Sequence, residues 1–358
     1  MLVFMRIDQL TFTRFVAAIL IVVFHFGSES FPFNSGSLSF VISQANVGVS
    51  YFFILSGFVM MIAYGDKDKI NTIAFLRNRL ARIYPVYFLS LMLLFIYYVS
   101  VIFAPISPVD LILNIILLKA WVPNKATIFN SPGWTLSVEL FFYILFPFVF
   151  NWFYRKGSNI IKLALPIVSF WLISQLILHW FLYSELYKGY PSESHNFIYY
   201  WPLMHFNEFL IGNLAGLIFL QQKKERVRNY DWQILGILIL ILLALKYHGP
   251  LIFHNGLLAL LFVPFILFLS LNTGKITEIF KNRFLVFLGE ISFGVYILQL
   301  PVYFFSMLFF DKSGIQDGTM RFYLFVIILI TFSSMTYAWI ESPLRKRIKQ
   351  IYSNKNRI

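Results

Sequence analysis

Cysteine is absent from the 358-residue sequence. Its absence excludes disulfides, thiolate metal sites and a cysteine nucleophile, and leaves the redox compartment unread. Charge is scarce too. Only 13% of the residues are Asp, Glu, Lys or Arg, about half the share of an ordinary soluble domain. What charge there is leans one way, with 29 basic against 16 acidic residues and a net charge of +13. Apolar residues make up 59% and aromatic ones 20%, and the mean hydropathy is +0.74. These values exclude a water-soluble domain or a disordered chain and point to a membrane protein. In a soluble chain the basic excess would suggest nucleic acid. Here the charges sit between apolar runs, so topology is the first reading and an anionic lipid or substrate the second, with no nucleic-acid partner. Arg6, Asp8 and Arg14 precede or interrupt the first apolar run, and no small-residue cleavage site follows it. That run is expected to stay as a helix.

Apolar stretches of roughly 20 residues mark ten candidate spans. They are placed at Leu10–Phe26, Asn46–Tyr64, Tyr84–Phe103, Trp134–Tyr154 and Ile160–Leu182. The other five are Leu203–Leu220, Trp232–Tyr247, Leu251–Leu271, Phe284–Phe309 and Tyr323–Glu341. A shorter run, Val109–Trp121, is too short to span and is expected to lie in the interface or to re-enter. The basic residues test this layout. Numbered from a cytoplasmic N-terminus, the inside connections hold 22 of the 29 and the outside ones six, with Arg14 inside the first span. So steep a split is the positive-inside signature. The expectation is an all-α polytopic membrane protein of about ten transmembrane helices with both termini cytoplasmic. Its spans consume about 210 residues, which leaves connections too short for a second domain. No duplication between halves is visible, which counts against repeat-built transporters.

Ionisable groups inside a span are expensive and therefore informative. Arg14 and His25 lie eleven residues apart on the first helix. Eleven steps of 100° return to within about 20° of the start, so both fall on one stripe, separated by about 16 Å along the axis. A cation and a proton-transfer group on one face suit two stations along a substrate passage. The same residues also suit an arginine snorkelling to one headgroup layer and a histidine at the other. Arg79 and Arg82 share a face if their stretch is helical, with Arg77 close by. Their guanidinium forks fit phosphate, although ordinary topology would place arginines there as well. Ser131-Pro132-Gly133 reads as a turn, Trp134 as part of an aromatic belt, and Glu139 as a carboxylate about a turn and a half below it. Glu139 could orient His25, receive a sugar hydroxyl or pair with a buried arginine. Glu208, Glu290 and Glu341 read as packing or ion-pair groups. No metal-ligand spacing is present.

Taken in order, these segments resemble the acyltransferase-3 family of bacterial integral membrane acyltransferases. The resemblance rests on Arg14 through His25, on Phe52-Phe53-Ile54-Leu55-Ser56-Gly57-Phe58 and on Arg79-Leu80-Ala81-Arg82-Ile83-Tyr84-Pro85. Gly133-Trp134-Thr135-Leu136-Ser137-Val138-Glu139, the stretch from Leu288 to Gln299, and Glu341-Ser342-Pro343 complete it. One departure stands out. Family members often carry a histidine where this sequence has Gln299, and glutamine can hydrogen-bond a hydroxyl but cannot take its proton.

The resemblance implies a membrane-bound O-acyltransferase in the bacterial cytoplasmic (inner) membrane. Residues 1–345 would form one transmembrane domain and 346–358 a basic cytoplasmic tail. Acyl-CoA, usually acetyl-CoA, would be the donor substrate, with no permanently bound cofactor and no metal. A hydroxyl of a glycan or lipid-linked glycan would be the acceptor. On this reading Arg77, Arg79 and Arg82 hold the CoA phosphates. His25 acts as general base or acyl relay, assisted by Arg14 and Glu139. Trp134, Tyr296 and Gln299 contact the acceptor. The alternative is a transporter or flippase for a lipid-linked glycan that uses Arg14 as a counter-ion. Acceptor identity, acyl length and oligomeric state are not legible.

Overall fold

The computed structural model describes residues 7–154, 159–222, 227–345 and 347. Among the described residues the regular structure is helix, without a strand. Hydrocarbon offers no partner to a backbone amide, so an apolar segment satisfies its polar groups by coiling. In chain order, α1 is Asp8–Phe26, α2 Ser39–Ser43, α3 Val47–Tyr64 and α4 Thr72–Tyr97, which runs into a π-helical turn at Tyr98–Ile102. Next come α5 (Pro108–Ile115), 3-10 turns at Lys119–Trp121 and Ser131–Gly133, and α6 (Trp134–Phe153). They are followed by α7 (Ile160–Leu182), α8 (Glu193–Tyr200) and α9 (Phe206–Gln222). The shorter α10 (Asp231–Lys246), α11 (Ala259–Leu271) and α12 (Lys275–Phe280) lead to α13 (Arg283–Lys312) and α14 (Gly318–Thr336). A second π-helical turn, Tyr337–Glu341, extends α14. Asn71, Asn159, Asn282 and Asp317 cap their helices by accepting a backbone N–H, the usual service of such side chains at an N-terminus.

Among the described residues, eight helical segments are long and apolar enough to cross a membrane. They correspond to eight of the ten expected spans. The other two, Trp232–Tyr247 and Leu251–Leu271, fold as helices of 16 and 13 residues. At 1.5 Å per residue these reach only about 24 and 20 Å, against a hydrocarbon core of about 30 Å. The second is short because a 3-10 turn at His254–Gly256, with Asn255 at φ 63°, occupies the start of the apolar run. Val109–Trp121 forms only the eight-residue α5 and a 3-10 turn, too little to span. The tail lies outside the described residues apart from Arg347, as do Arg6, Arg155, Lys156, Lys223, Lys224 and Arg226 of the charge count.

α3 is the axis of the bundle, with 78% of its apolar window buried, whereas α7 at 17% turns most of its apolar side chains outward. Two close crossings hold the arrangement. At α3 and α9, a Cβ on Gly212 would stand 2.0 Å from the Ile54 carbonyl oxygen. At α1 and α13, a Cβ on Gly289 would stand 2.0 Å from the Thr11 carbonyl oxygen. Small residues let backbones meet at this range, where packing rather than water drives association. The second crossing lays the face of α1 that carries Arg14 and His25 against the α13 face that carries Tyr296 and Gln299.

Candidate functional site

A cavity of about 360 Å³ opens where α1 and α4 begin, α3 ends and the π turn follows α14. Arg14, Arg79, Arg82 and Arg345 line it together with Glu290 and Glu341. Among the described residues neither Arg14 nor Arg82 makes a hydrogen bond or an ion pair within 4 Å. Arg14 faces Glu139 and Glu341 at longer range. Arg79 lies over the rings of Phe75, Tyr64 and Tyr143, 5.3 to 5.9 Å from their centroids, a cation–π setting that leaves its N–H edge for another partner. The Tyr337 hydroxyl donates to Glu290 Oε2 at 2.5 Å. The stretch carrying the arginine motif is helical, the condition on which Arg79 and Arg82 share a face, and it puts both on the cavity wall. Arg77 is not on that wall. Two residues before Arg79, it points about 200° around the helix.

Arg14 also lines a second, smaller chamber of about 40 Å³. Glu139, Phe52, Phe293 and Tyr296 are among its other walls. The Glu139 carboxylate accepts a hydrogen bond from the Tyr143 hydroxyl at 2.7 Å. Tyr296 and Thr135 both donate to the Pro132 carbonyl, at 3.3 and 3.0 Å. The turn that carries Pro132 is stapled from beneath by Lys119. Its Nζ is fully buried and donates to the carbonyls of Ile128, at 3.2 Å, and Asn130. Burial holds the Lys119 ammonium well below the usual lysine range, and a neutral amine still has a proton for each carbonyl. Asn130 in turn donates to Ser90 and to the Ile297 carbonyl of α13.

At the far end of α1, His25 Nδ1 lies 2.8 Å from Gln299 Oε1. The Gln299 amide donates from Nε2 to the Tyr296 carbonyl at 2.6 Å, which fixes the orientation of the amide. Oε1 must therefore accept, so the imidazole proton sits on Nδ1 and the Nε2 lone pair is left available. Gln299 is fully buried, while His25 remains exposed at the end of the bundle.

The structure thus brings together Arg14, Arg79, Arg82, Glu139 and Tyr296 along two adjoining cavities, and separately pairs His25 with Gln299. It does not bring Glu139 to His25, because the carboxylate is held by Tyr143 beside Arg14. Trp134 is 7% exposed and packs against Phe53, Tyr200 and His205 at 5.1–6.0 Å, so its faces are taken by other rings. Glu208 is an ion-pair group, as read, with His205 Nδ1 at 2.7 Å. His179 is satisfied by the Gln175 carbonyl and the Ile252 amide. Glu290, Tyr337, Glu341 and Arg345 were not assigned to the site from the sequence. Glu290 comes from α13, while Tyr337 and Glu341 come from the π turn and Arg345 from just beyond it, a turn that advances the helix register.

A family model described as an acyltransferase domain matches residues 7–339. Acyltransferase MdmB of Streptomyces mycarofaciens is 26% identical over 83% of this chain and 79% of its own length. O-acetyltransferase OatA of Staphylococcus aureus strain NCTC 8325 / PS 47 is 23% identical over 93% of this chain and 56% of its own length. A putative O-acetyltransferase of S. aureus strain COL matches to the same extent. The chain therefore spans little more than half the length of these staphylococcal relatives. No solved structure matches it.

Proposed function

Because the chain belongs to the family that this acyltransferase domain defines, we propose that it transfers an acyl group from cytoplasmic acyl-CoA to a hydroxyl of a cell-surface glycan or its lipid-linked precursor. One observation carries the reading: Arg14 lines both cavities, so the arginine-walled mouth and the chamber beside Glu139 and Tyr296 adjoin at its side chain. Tyr296 lies three residues, about 4.5 Å along α13, before the Gln299 that holds His25. On the positive-inside rule the arginine end would face the cytoplasm, as a bacterial inner-membrane acyltransferase drawing on cytoplasmic acyl-CoA requires. CoA phosphates would be held there by Arg79 and Arg82 through charge-assisted hydrogen bonds. The thin pantetheine arm would pass Arg14 and carry the thioester toward His25.

At the thioester, His25 Nε2 takes the proton of the acceptor hydroxyl as its oxygen attacks the carbonyl carbon. The carbon–sulfur bond breaks and the CoA thiolate regains that proton from the imidazolium. An acyl-imidazole relay would use the same nitrogen. General-base work of this kind contributes about 10²–10⁴-fold. The names of the relatives favour this enzyme over a transporter.

Binding of labelled acetyl-CoA to the purified protein tests the donor site. Saturable binding that disappears in the Arg79→Glu/Arg82→Glu double variant is expected. Binding undiminished in that variant contradicts the assignment.

A further inference from the structure

α13 carries a proline, Pro301, in its interior. Proline has no N–H, so the carbonyl four residues earlier, that of Ile297, loses its helical donor. Hydrocarbon supplies no water in its place, and a membrane helix tolerates such a proline where a neighbour satisfies the freed carbonyl. The neighbour here is Asn130, whose Nδ2 donates to the Ile297 carbonyl at 3.3 Å. Gln299 sits inside the turn that the proline opens, two residues past that carbonyl and two before Pro301.

Asn130 is built in as a fixed point. It is fully buried and stands just before the turn at Ser131–Gly133. Its second amide proton goes to Ser90 Oγ on α4 at 2.8 Å, and Ser90 in turn donates to the Tyr87 carbonyl at 2.6 Å. Lys119 holds its backbone carbonyl. Its side-chain Oδ1 has no hydrogen-bond partner among the described residues. A buried acceptor left unpaired is costly, so what this position uses is the pair of amide protons. A carboxylate of the same shape offers neither.

Three contacts then run in series. Asn130 ties the 297–301 turn to α4. Gln299, on that turn, donates to the Tyr296 carbonyl at 2.6 Å and accepts from His25 Nδ1 at 2.8 Å. A helix bends most readily at a proline, and a misplacement of about 1 Å can cost about 10²-fold in rate.

We propose that Asn130 is a positioning residue for acyl transfer: it supplies the donor that Pro301 lacks and holds the α13 turn from which Gln299 orients His25. The inference rests on the acyl-CoA reading above. On this account Asn130 touches neither donor nor acceptor, so its loss falls on kcat and leaves donor KM little changed.

A double-mutant cycle on the full chain, following labelled acetyl-CoA into a glycan extract, tests the series. Rates are taken per donor-binding site, so unfolded protein does not count. Asn130→Ala should lower kcat by about 10–100-fold. On top of Gln299→Leu it should cost no more than about twofold, because both changes act through one imidazole. Losses that multiply overturn the proposal, and so does a wild-type kcat in Asn130→Ala. Failure of Asn130→Ala and Asn130→Leu alike to bind donor makes Asn130 a folding residue and also overturns it. In all three cases an active wild type leaves the acyl-CoA reading standing.

A second cycle needs no turnover. Pro301→Ala restores an N–H to the Ile297 carbonyl, so Asn130→Ala should lower the thermal midpoint less in that background than in wild type. Equal drops remove Asn130 as the partner of the freed carbonyl and overturn the proposal. Consumption of no acyl-CoA by wild type removes the acyl-CoA reading and the positioning role with it.

Discussion

His25 and Gln299, 274 residues apart in the chain, share a hydrogen bond of 2.8 Å that fixes which imidazole nitrogen is free. The buried amide is itself pinned to the Tyr296 carbonyl. A glutamine that cannot take a proton thus still determines where the proton of its neighbour resides. Replacing Gln299 with Leu should lower kcat by about 10–100-fold, the cost typical of losing a partner that orients an imidazole, with donor KM little changed. Gln299→Glu retains an acceptor for Nδ1 and should recover part of that loss. Equal kcat in wild type and Gln299→Leu would remove the positioning role.

The arginine motif separates by helical face. Charge reversal at Arg79 or Arg82 should raise donor KM by about 10–100-fold each, as expected for a hydrogen bond to a charged group. Arg77→Glu, off the cavity wall, should leave donor KM near the wild-type value. Titrating acetyl-CoA against the three variants checks this. Equal losses at all three would assign the arginines to topology.

At the α1–α13 crossing, Gly289→Ala places a methyl where the Thr11 carbonyl oxygen stands. Overpacking of this kind costs about 1–3 kcal/mol, and separating the helices would also part His25 from Gln299. Thermal unfolding in detergent should show a lowered midpoint together with lost activity. Gly236→Ala, with nothing within 4 Å of the added carbon, is the control and should match wild type.

Lys119→Met leaves two buried carbonyls without their donor, at about 1–3 kcal/mol. The pH dependence has a definite sign. The folded protein holds Lys119 below its usual range, so between that lowered value and about 10.4 the unfolded chain binds the extra proton. Wild-type stability should therefore rise with pH through that window relative to Lys119→Met. A constant difference between the two proteins would contradict the assignment.

Helix content, most spans and the pairing of Arg79 with Arg82 were legible because each depends on local periodicity and hydropathy. Arg14 and His25 were placed on one stripe for the same reason. The partner of His25 was not legible, since Gln299 meets it only across the α1–α13 crossing that Gly289 permits. Glu139 looked able to reach His25 on depth alone, and only the fold shows Tyr143 holding it. Trp134 read as an aromatic-belt residue and an acceptor contact, but whether neighbouring rings cover it is a matter of packing. Glu341 entered the cavity through a π turn, which leaves no periodic trace in a run of apolar residues. The two short helices α10 and α11 had the hydropathy of spans, and Asn255 in its left-handed conformation shortened the second.

The central claim is that His25 carries acyl transfer from acyl-CoA. It is tested most directly by following label from acetyl-CoA into a membrane glycan extract, with the purified wild type and His25→Ala side by side at equal protein level. Label should reach the glycan with wild type and fall by about 10²–10⁴-fold with His25→Ala. Undiminished transfer by His25→Ala would contradict the mechanism.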